Sequence, residues 1–288
     1  MNQYKPQTKD SADIEFESEL VTFVTHLRYD HQDRLENLQC ILDYYSFYFP
    51  KSRFILVEDD KTHNSAFDKI SWPLKKTLFY FIENSGLYYR TRALNYGIKQ
   101  SQTPIVISLD TDCLVSPDSI KLCSINLLNG ATVAWPYNGY FVDTHQQFRD
   151  DQFKSEKLFS VFDPYIPNLI KLGVGERYEY FSIRGTNNEP RLVGGIVMFN
   201  KENFLRIGGY NENFIAWGAE DEEIVIRCKT LNQKCYRDTN LNSLLFHLNH
   251  HNALRQHHQF YNSNVDELTK VSNMNEIELK SYIETWPR

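Results

Sequence analysis

Residues Leu192 to Arg227 read LVGGIVMFNKENFLRIGGYNENFIAWGAEDEEIVIR, and the order of residue types along this stretch sets the fold. Leu192, Val193, Ile196, Val197, Met198 and Phe199 make a short apolar run around two glycines, the pattern of a buried strand. Gly194 and Gly195 carry no Cβ, so a ligand or another backbone can approach closely there. Asn200 is placed to cap a short helix carrying Phe204, Leu205 and Ile207, which Gly208 and Gly209 stop. After a loop come Trp217-Gly218-Ala219-Glu220-Asp221-Glu222-Glu223, then a helix with Ile224, Val225, Cys228 and Leu231 on one face. A helix N-terminus favours negative charge, which accounts for acids in the first turn. It does not account for the Trp-Gly pair before them or the glycine strand upstream.

The chain has 288 residues and 41% hydrophobic content, enough for one large α/β core. With 19 Phe, 18 Tyr and 4 Trp it is rich in rings that serve cores and sugar clefts alike. A formal net charge of −6 argues against nucleic acid as a partner. No segment approaches the roughly 18–20 apolar residues of a membrane span. The polar, acidic N-terminus lacks the apolar run of a signal peptide, and residues 1–18 are expected to form a loose arm. The 5 cysteines are scattered without a CxxC pair, which points to a reducing compartment and away from structural zinc.

Along the chain, Val21–Thr25 reads as a first strand, a helix follows with Leu35, Leu38, Ile41, Leu42 and Tyr45 on one face, and Phe54–Val57 reads as a second strand ending in acids. This βαβ unit would bring Arg28 and Glu58 to strand carboxyl ends, where α/β sheets collect ligands. Leu78–Ile82 reads as a third strand. Ile105–Leu109 then runs straight into Asp110-Thr111-Asp112, and two acids spaced by two point to one side of an extended chain. Such a pair can share a hard cation that bridges a diphosphate. Ala131–Trp135, Lys234–Arg237 and Leu244–Phe246 read as further short strands, and the last leads into His247-Leu248-Asn249-His250-His251. His257 and His258 are read as surface residues. The polar span 144–187 is expected to be an irregular insertion, and residues 265–286 have the spacing of a helical tail.

The order Gly-Gly, Phe-Leu-x-Ile-x-Gly-Tyr, Trp-Gly-x-Glu-Asp resembles the acceptor-side segment of the beta-1,4-galactosyltransferases. It also resembles the bacterial chondroitin-type polymerases and, more distantly, the polypeptide N-acetylgalactosaminyltransferases, all metal-dependent glycosyltransferases of the GT-A fold. The resemblance implies that Arg28 and Glu58 flank the uracil end of the donor. In the Arg-Ala…Asn-x-Gly stretch, it implies that Arg92, Ala93, Asn95 and Gly97 line the nucleotide, with the Arg92 fork on a phosphate. It implies Asp112 as a ligand of Mn²⁺ (or Mg²⁺), Asp110 at the ribose, and His250, with His247 as co-ligand, completing the metal site. Asp221 is then the base, Glu220 orients the acceptor, and Trp217, Gly218 and Tyr137 wall the acceptor side, with Gly195 and Trp217 also beside the donor. Ala219 departs from the family's glycine.

These readings predict an α/β GT-A fold, Rossmann-like: a single domain with one mixed, mostly parallel sheet and helices on both faces. The nucleotide-sugar half is expected at 19–130, the acceptor half at 131–260 and the helical tail at 261–288. The expected function is transfer from a UDP-linked sugar to a carbohydrate or glycoconjugate hydroxyl, with inversion, in bacterial-type surface polysaccharide synthesis. The expected setting is the cytoplasm, with no integral membrane segment and peripheral contact at most. Retaining N-acetylhexosaminyl transfer, a sugar nucleotidyltransferase and a non-catalytic carbohydrate-binding protein remain as alternatives. Against the nucleotidyltransferase stands the lack of a glycine-rich N-terminal loop.

Overall fold

The computed structural model describes residues 17–71, 77–156, 158–186, 192–251 and 259–286, so most of the expected arm, together with His257 and His258, lies outside the described residues. The strands in chain order are β1 (Val21–Leu27), β2 (Arg53–Asp60), β3 (Thr77–Glu83), β4 (Ile105–Leu109), β5 (Cys113–Leu114), β6 (Val133–Trp135), β7 (Phe141–Thr144), β8 (Arg177–Tyr178), β9 (Phe181–Arg184), β10 (Ile196–Asn200), β11 (Cys235–Arg237) and β12 (Leu245–His247). They form a 7-stranded sheet in the order β11-β6-β10-β4-β1-β2-β3 and a 5-stranded sheet in the order β5-β12-β7-β9-β8.

In the larger sheet β4, β1, β2 and β3 pair in parallel because helical crossovers join them: Gln32–Tyr48 between β1 and β2, Arg90–Gln100 between β3 and β4. β10 runs antiparallel to both β4 and β6. The sheet is therefore mixed and mostly parallel, as the sequence suggests. Both faces are covered. Phe23 packs its ring 4.8 Å from Tyr45 of the first helix and 5.7 Å from Phe49 at its C-terminal cap. Its neighbour Val24 points to the other face, where it meets the second helix at Gly97.

The second sheet departs from the single sheet expected. Its strands are only 2 to 4 residues long. That is too short to show an alternation, and their pairings join distant parts of the chain. Nor is the span 144–187 simply irregular. Phe162 stacks on Phe246 with centroids 3.9 Å apart, and Phe148 and Phe181 lie 4.8 Å apart, giving the small sheet an aromatic underside. At the C-terminus two helices, Tyr261–Ser272 and Glu276–Ile283, pack back on the body, the second opened by an Asn275–Glu278 capping box.

Gly97 shows how tightly helix and sheet meet, for a Cβ there would lie 2.4 Å from Val24 Cγ1 and 3.2 Å from Val57 Cγ2. Gly97→Ala should lower stability by about 1–3 kcal/mol through overpacking, despite the better helix propensity of alanine. The denaturant midpoint measures it, and an unchanged or raised midpoint would show that the helix is free to move off the sheet.

Candidate active site

The carboxyl ends of β1 and β4, the small sheet and the start of the helix Glu220–Thr230 enclose a cavity of about 1070 Å³. Asp110 and Asp112 both line it, as expected for acids spaced by two at a strand end. β5 follows Asp112 directly and pairs antiparallel with β12, so Cys113 sits opposite His247. The small sheet thus joins the Asp-Thr-Asp segment to the histidines, 135 residues from Asp112 in the case of His247 (247 minus 112). Asp112 is buried, with His250 Nε2 at 3.2 Å, His247 Nε2 at 3.7 Å and Arg34 Nη1 at 3.1 Å. Burial pushes its carboxyl up, but His247, His250 and Arg34 outweigh that and hold it well below the usual range. Burial lowers His250, and the hydrogen bond it donates to the Asp112 carboxylate, with that carboxylate's charge, more than compensates. One ligand atom each from Asp112, His247 and His250 lies within 4.8 Å of the others. A carboxylate with two imidazoles is a fitting donor set for a first-row divalent cation.

Of the two arginines on this helix, Arg90 and not Arg92 reaches the cavity. Arg90 is buried and bonds Asp110 at 2.9 Å, Glu220 at 3.2 Å and Asp221 at 3.4 Å. Arg92 forks onto the buried Asp59 at 2.8 and 3.0 Å and does not line the cavity. Two residues along a helix are about 200° apart, so only one of the pair can face the site. Asn95 is likewise structural, bonding the backbone of Tyr210 on both sides (2.8 Å each) and Glu212 (2.7 Å). Glu58 is fully buried, accepts from Asn64 N at 2.9 Å and pairs with His63, away from the cavity. Tyr137 is core as well: its hydroxyl donates to the Gly194 carbonyl at 2.8 Å.

Arg28 does line the cavity, donating to the Gly86 carbonyl at 2.6 Å. Beside it, burial lowers His26 to about 4, leaving a neutral imidazole near Asp110. His26 Nδ1, Arg28 Nη1 and Asp30 Oδ1 are buried there without a hydrogen-bond partner among the described residues. Arg34, Arg90, His26, Asp143 and Arg184 also line the cavity and carry no local sequence signal beyond being polar near strand ends.

On the opposite wall the backbone is left-handed at Ala216 (φ 63°), Gly218 (φ 110°) and Ala219 (φ 71°). This region favours glycine, and its use by alanine at 219 explains why the resembling motif carries glycine there. Trp217 stands 44% exposed at the rim. Glu220 turns back, one oxygen on Arg90 and the other accepting from Gly218 N, so it organises the loop from within. Asp221 is raised to about 7, mainly by burial, with Glu220 and Asp110 adding to the shift and Arg90 opposing it. The helix N-terminus therefore does not keep it strongly acidic, as its place in the sequence suggests; desolvation outweighs the dipole.

A family model described as the N-terminal domain of galactosyltransferase matches residues 179–251, which hold Gly194, Asp221, His247 and His250. No curated protein matches the chain in sequence. Among solved structures, the crystal structure of GalNAc-T7 with UDP, GalNAc and Mn²⁺ superposes with a TM-score of 0.51 at 13% identity. The alignment covers 80% of this chain and 44% of that one, so this chain spans less than half the length of the structure it matches. The fold is accordingly of the GT-A glycosyltransferase type.

Gly194 sets the place of Asp221, for a Cβ there would lie 2.8 Å from Asp221 Oδ2. Gly194→Ala should move that carboxyl while leaving the melting temperature within a few degrees, because only a flexible side-chain end must yield. An Asp221 proton resonance unchanged in the variant, followed by carboxyl NMR, would show that the contact does not matter.

Proposed function

We propose that this chain is a metal-dependent glycosyltransferase moving a sugar from a nucleotide sugar, UDP-linked, to a hydroxyl of a carbohydrate or glycoconjugate. The observation that carries it is one cavity holding both a carboxylate–imidazole cluster (Asp112, His247, His250) and a carboxyl tuned to about 7 (Asp221). The likeness to the galactosyltransferase family over 179–251 and to a structure holding UDP, GalNAc and Mn²⁺ supports the same reading. A raised carboxyl in the same cavity as a metal-ligating cluster favours catalysis over binding alone.

Asp112, His247 and His250 would hold Mn²⁺ or Mg²⁺. When bound, the cation supplies positive charge against the diphosphate leaving group. His26 Nδ1, Arg28 Nη1 and Asp30 Oδ1, which make no hydrogen bond to the described residues, suit the base and ribose end of the donor, whose groups would complete them. Asp221 accepts the proton of the acceptor hydroxyl, for which a base near the working pH is best matched. Arg90 orients that carboxyl and Asp110 together, Glu220 holds the loop, and Trp217 offers a ring at the rim for a sugar face. An ionisable base of this kind favours direct displacement with inversion. No helix among the described residues is long and apolar enough to cross a membrane. We place the reaction in the cytoplasm, in synthesis of a bacterial-type surface glycan, with a lipid-linked or soluble acceptor.

Release of UDP rather than pyrophosphate from a nucleotide-sugar panel separates transfer from nucleotidyl chemistry. Asp112→Ala should abolish Mn²⁺-dependent UDP binding in calorimetry and His250→Ala should weaken it; UDP affinity indifferent to a chelator would overturn the metal assignment. In the free enzyme, kcat/KM should rise with pH up to about 7, since the base works only when ionised. Asp221→Asn should flatten this limb and lower turnover on the order of a hundredfold or more. The sign for stability is opposite. A carboxyl raised in the folded state stabilises when protonated, so wild type should lose stability against Asp221→Asn as pH rises from about 4 to about 7. A retained anomeric configuration in the product, read by NMR, would rule out inversion with Asp221 as base.

A further inference from the structure

The small sheet does more than carry His247 to Asp112. β7 and β12 run parallel in a register that sets Asp143 beside His247. Asp143 Oδ1 lies 3.0 Å from His247 Nδ1. On its other side, β9 brings Arg184, whose Nε meets Asp143 Oδ2 at 3.0 Å and whose Nη2 meets Oδ1 at 2.9 Å. The guanidinium lies 4.4 Å over the Phe141 ring, and Phe141 is the strand partner of Arg184. Asp143, Arg184 and Phe141 all line the cavity with His247.

As a plain surface ion pair, Asp143–Arg184 would contribute little and need no third partner. The third partner is what distinguishes it. An imidazole that donates its Nδ1 proton to a carboxylate has its Nε2 lone pair free on the far side. Here Nε2 points at Asp112, 3.7 Å away. His250 reaches the same disposition differently, with Nδ1 on the His251 carbonyl at 2.9 Å and Nε2 on Asp112. One imidazole is fixed by backbone; the other depends on a side chain from a neighbouring strand.

We propose that Asp143, clamped by Arg184, is a positioning residue that fixes the tautomer and orientation of His247 so that its Nε2 receives a divalent cation together with Asp112 and His250. Asp143 touches no reacting atom and acts through His247. Carboxylate partners of this kind typically change metal affinity 10–100-fold. The inference rests on the metal assignment of the preceding subsection.

The test uses Mn²⁺ alone, titrated calorimetrically into the full chain without nucleotide. Asp143→Ala should weaken Mn²⁺ binding 10–100-fold. Asp143→Asn, which keeps the shape between β7 and β9, should weaken it less and serves as the folded control should the alanine variant fail to fold. Histidine ¹⁵N NMR of the metal-free protein, with the His247 signal assigned through His247→Ala, should show Nδ1 protonated in wild type and a tautomer mixture in both Asp143 variants. In the His247→Ala background, Asp143→Asn should cost nothing further, because its effect passes through the imidazole. Unchanged Mn²⁺ affinity in the Asp143 variants, or an equal loss with and without His247, would overturn the proposal while leaving the metal site standing. Unchanged affinity in His247→Ala would instead show that His247 is no ligand and remove the premise.

Discussion

Arg90 is a guanidinium taken out of water and surrounded by three carboxylates, Asp110 from the end of β4 and Glu220 and Asp221 from the start of a helix far along the chain. Taking such a charge into the interior costs several kcal/mol, and the site exists only because good geometry offsets it. Burial alone would lower the arginine's pKa, but Asp110, Asp221 and Glu220 raise it well above its ordinary value. The cation is therefore permanent, and it draws the donor side and the acceptor side of the cavity together. Burial, with the excess of three acids around one cation, raises Asp221 to about 7.

A second constraint is the pairing of β5 with β12. These are two strands of 2 and 3 residues, and their pairing alone would be marginal in water. They hold because the aromatic layer of Phe148, Phe162, Phe181 and Phe246 buries the sheet's underside. Packing on one face fixes register, and register on the other face sets His247 against Cys113 and Asp143. Core and chemistry are thus the two sides of one small sheet.

The wall opposite carries backbone strain. Alanines at 216 and 219 sit in left-handed conformations, which cost of order 1 kcal/mol each unless the surroundings compensate. The compensation is visible: Ala216 N donates to the Tyr88 carbonyl at 2.8 Å, and Glu220 accepts from Gly218 N. The loop is bent so that the helix begins with Glu220 turned to Arg90 and Asp221 turned to Gly194.

What the sequence by itself determined is what short stretches encode. The apolar runs at 21–25, 54–57 and 105–109 lie in strands, and Asn200 caps the helix that follows it, where its side chain meets a backbone N–H group. Asp110 and Asp112 reach the cavity because alternation in an extended chain is a local property. The Trp217–Asp221 segment was legible through its unusual order. Tertiary structure alone decided which of Arg90 and Arg92 faces the site, since both fit the same helix and only the sheet beneath says which side is inside. It sent Tyr137, Asn95 and Glu58 into the body, brought Arg34, Asp143 and Arg184 to the histidines, and built the second sheet. It also decided the acidity of Asp221. Side-chain type and helix position favour an ionised group, but desolvation and neighbouring charge depend on what packs around it, and beside the adjacent Glu220 those charges are Arg90 and Asp110, each more than a hundred residues away in the chain.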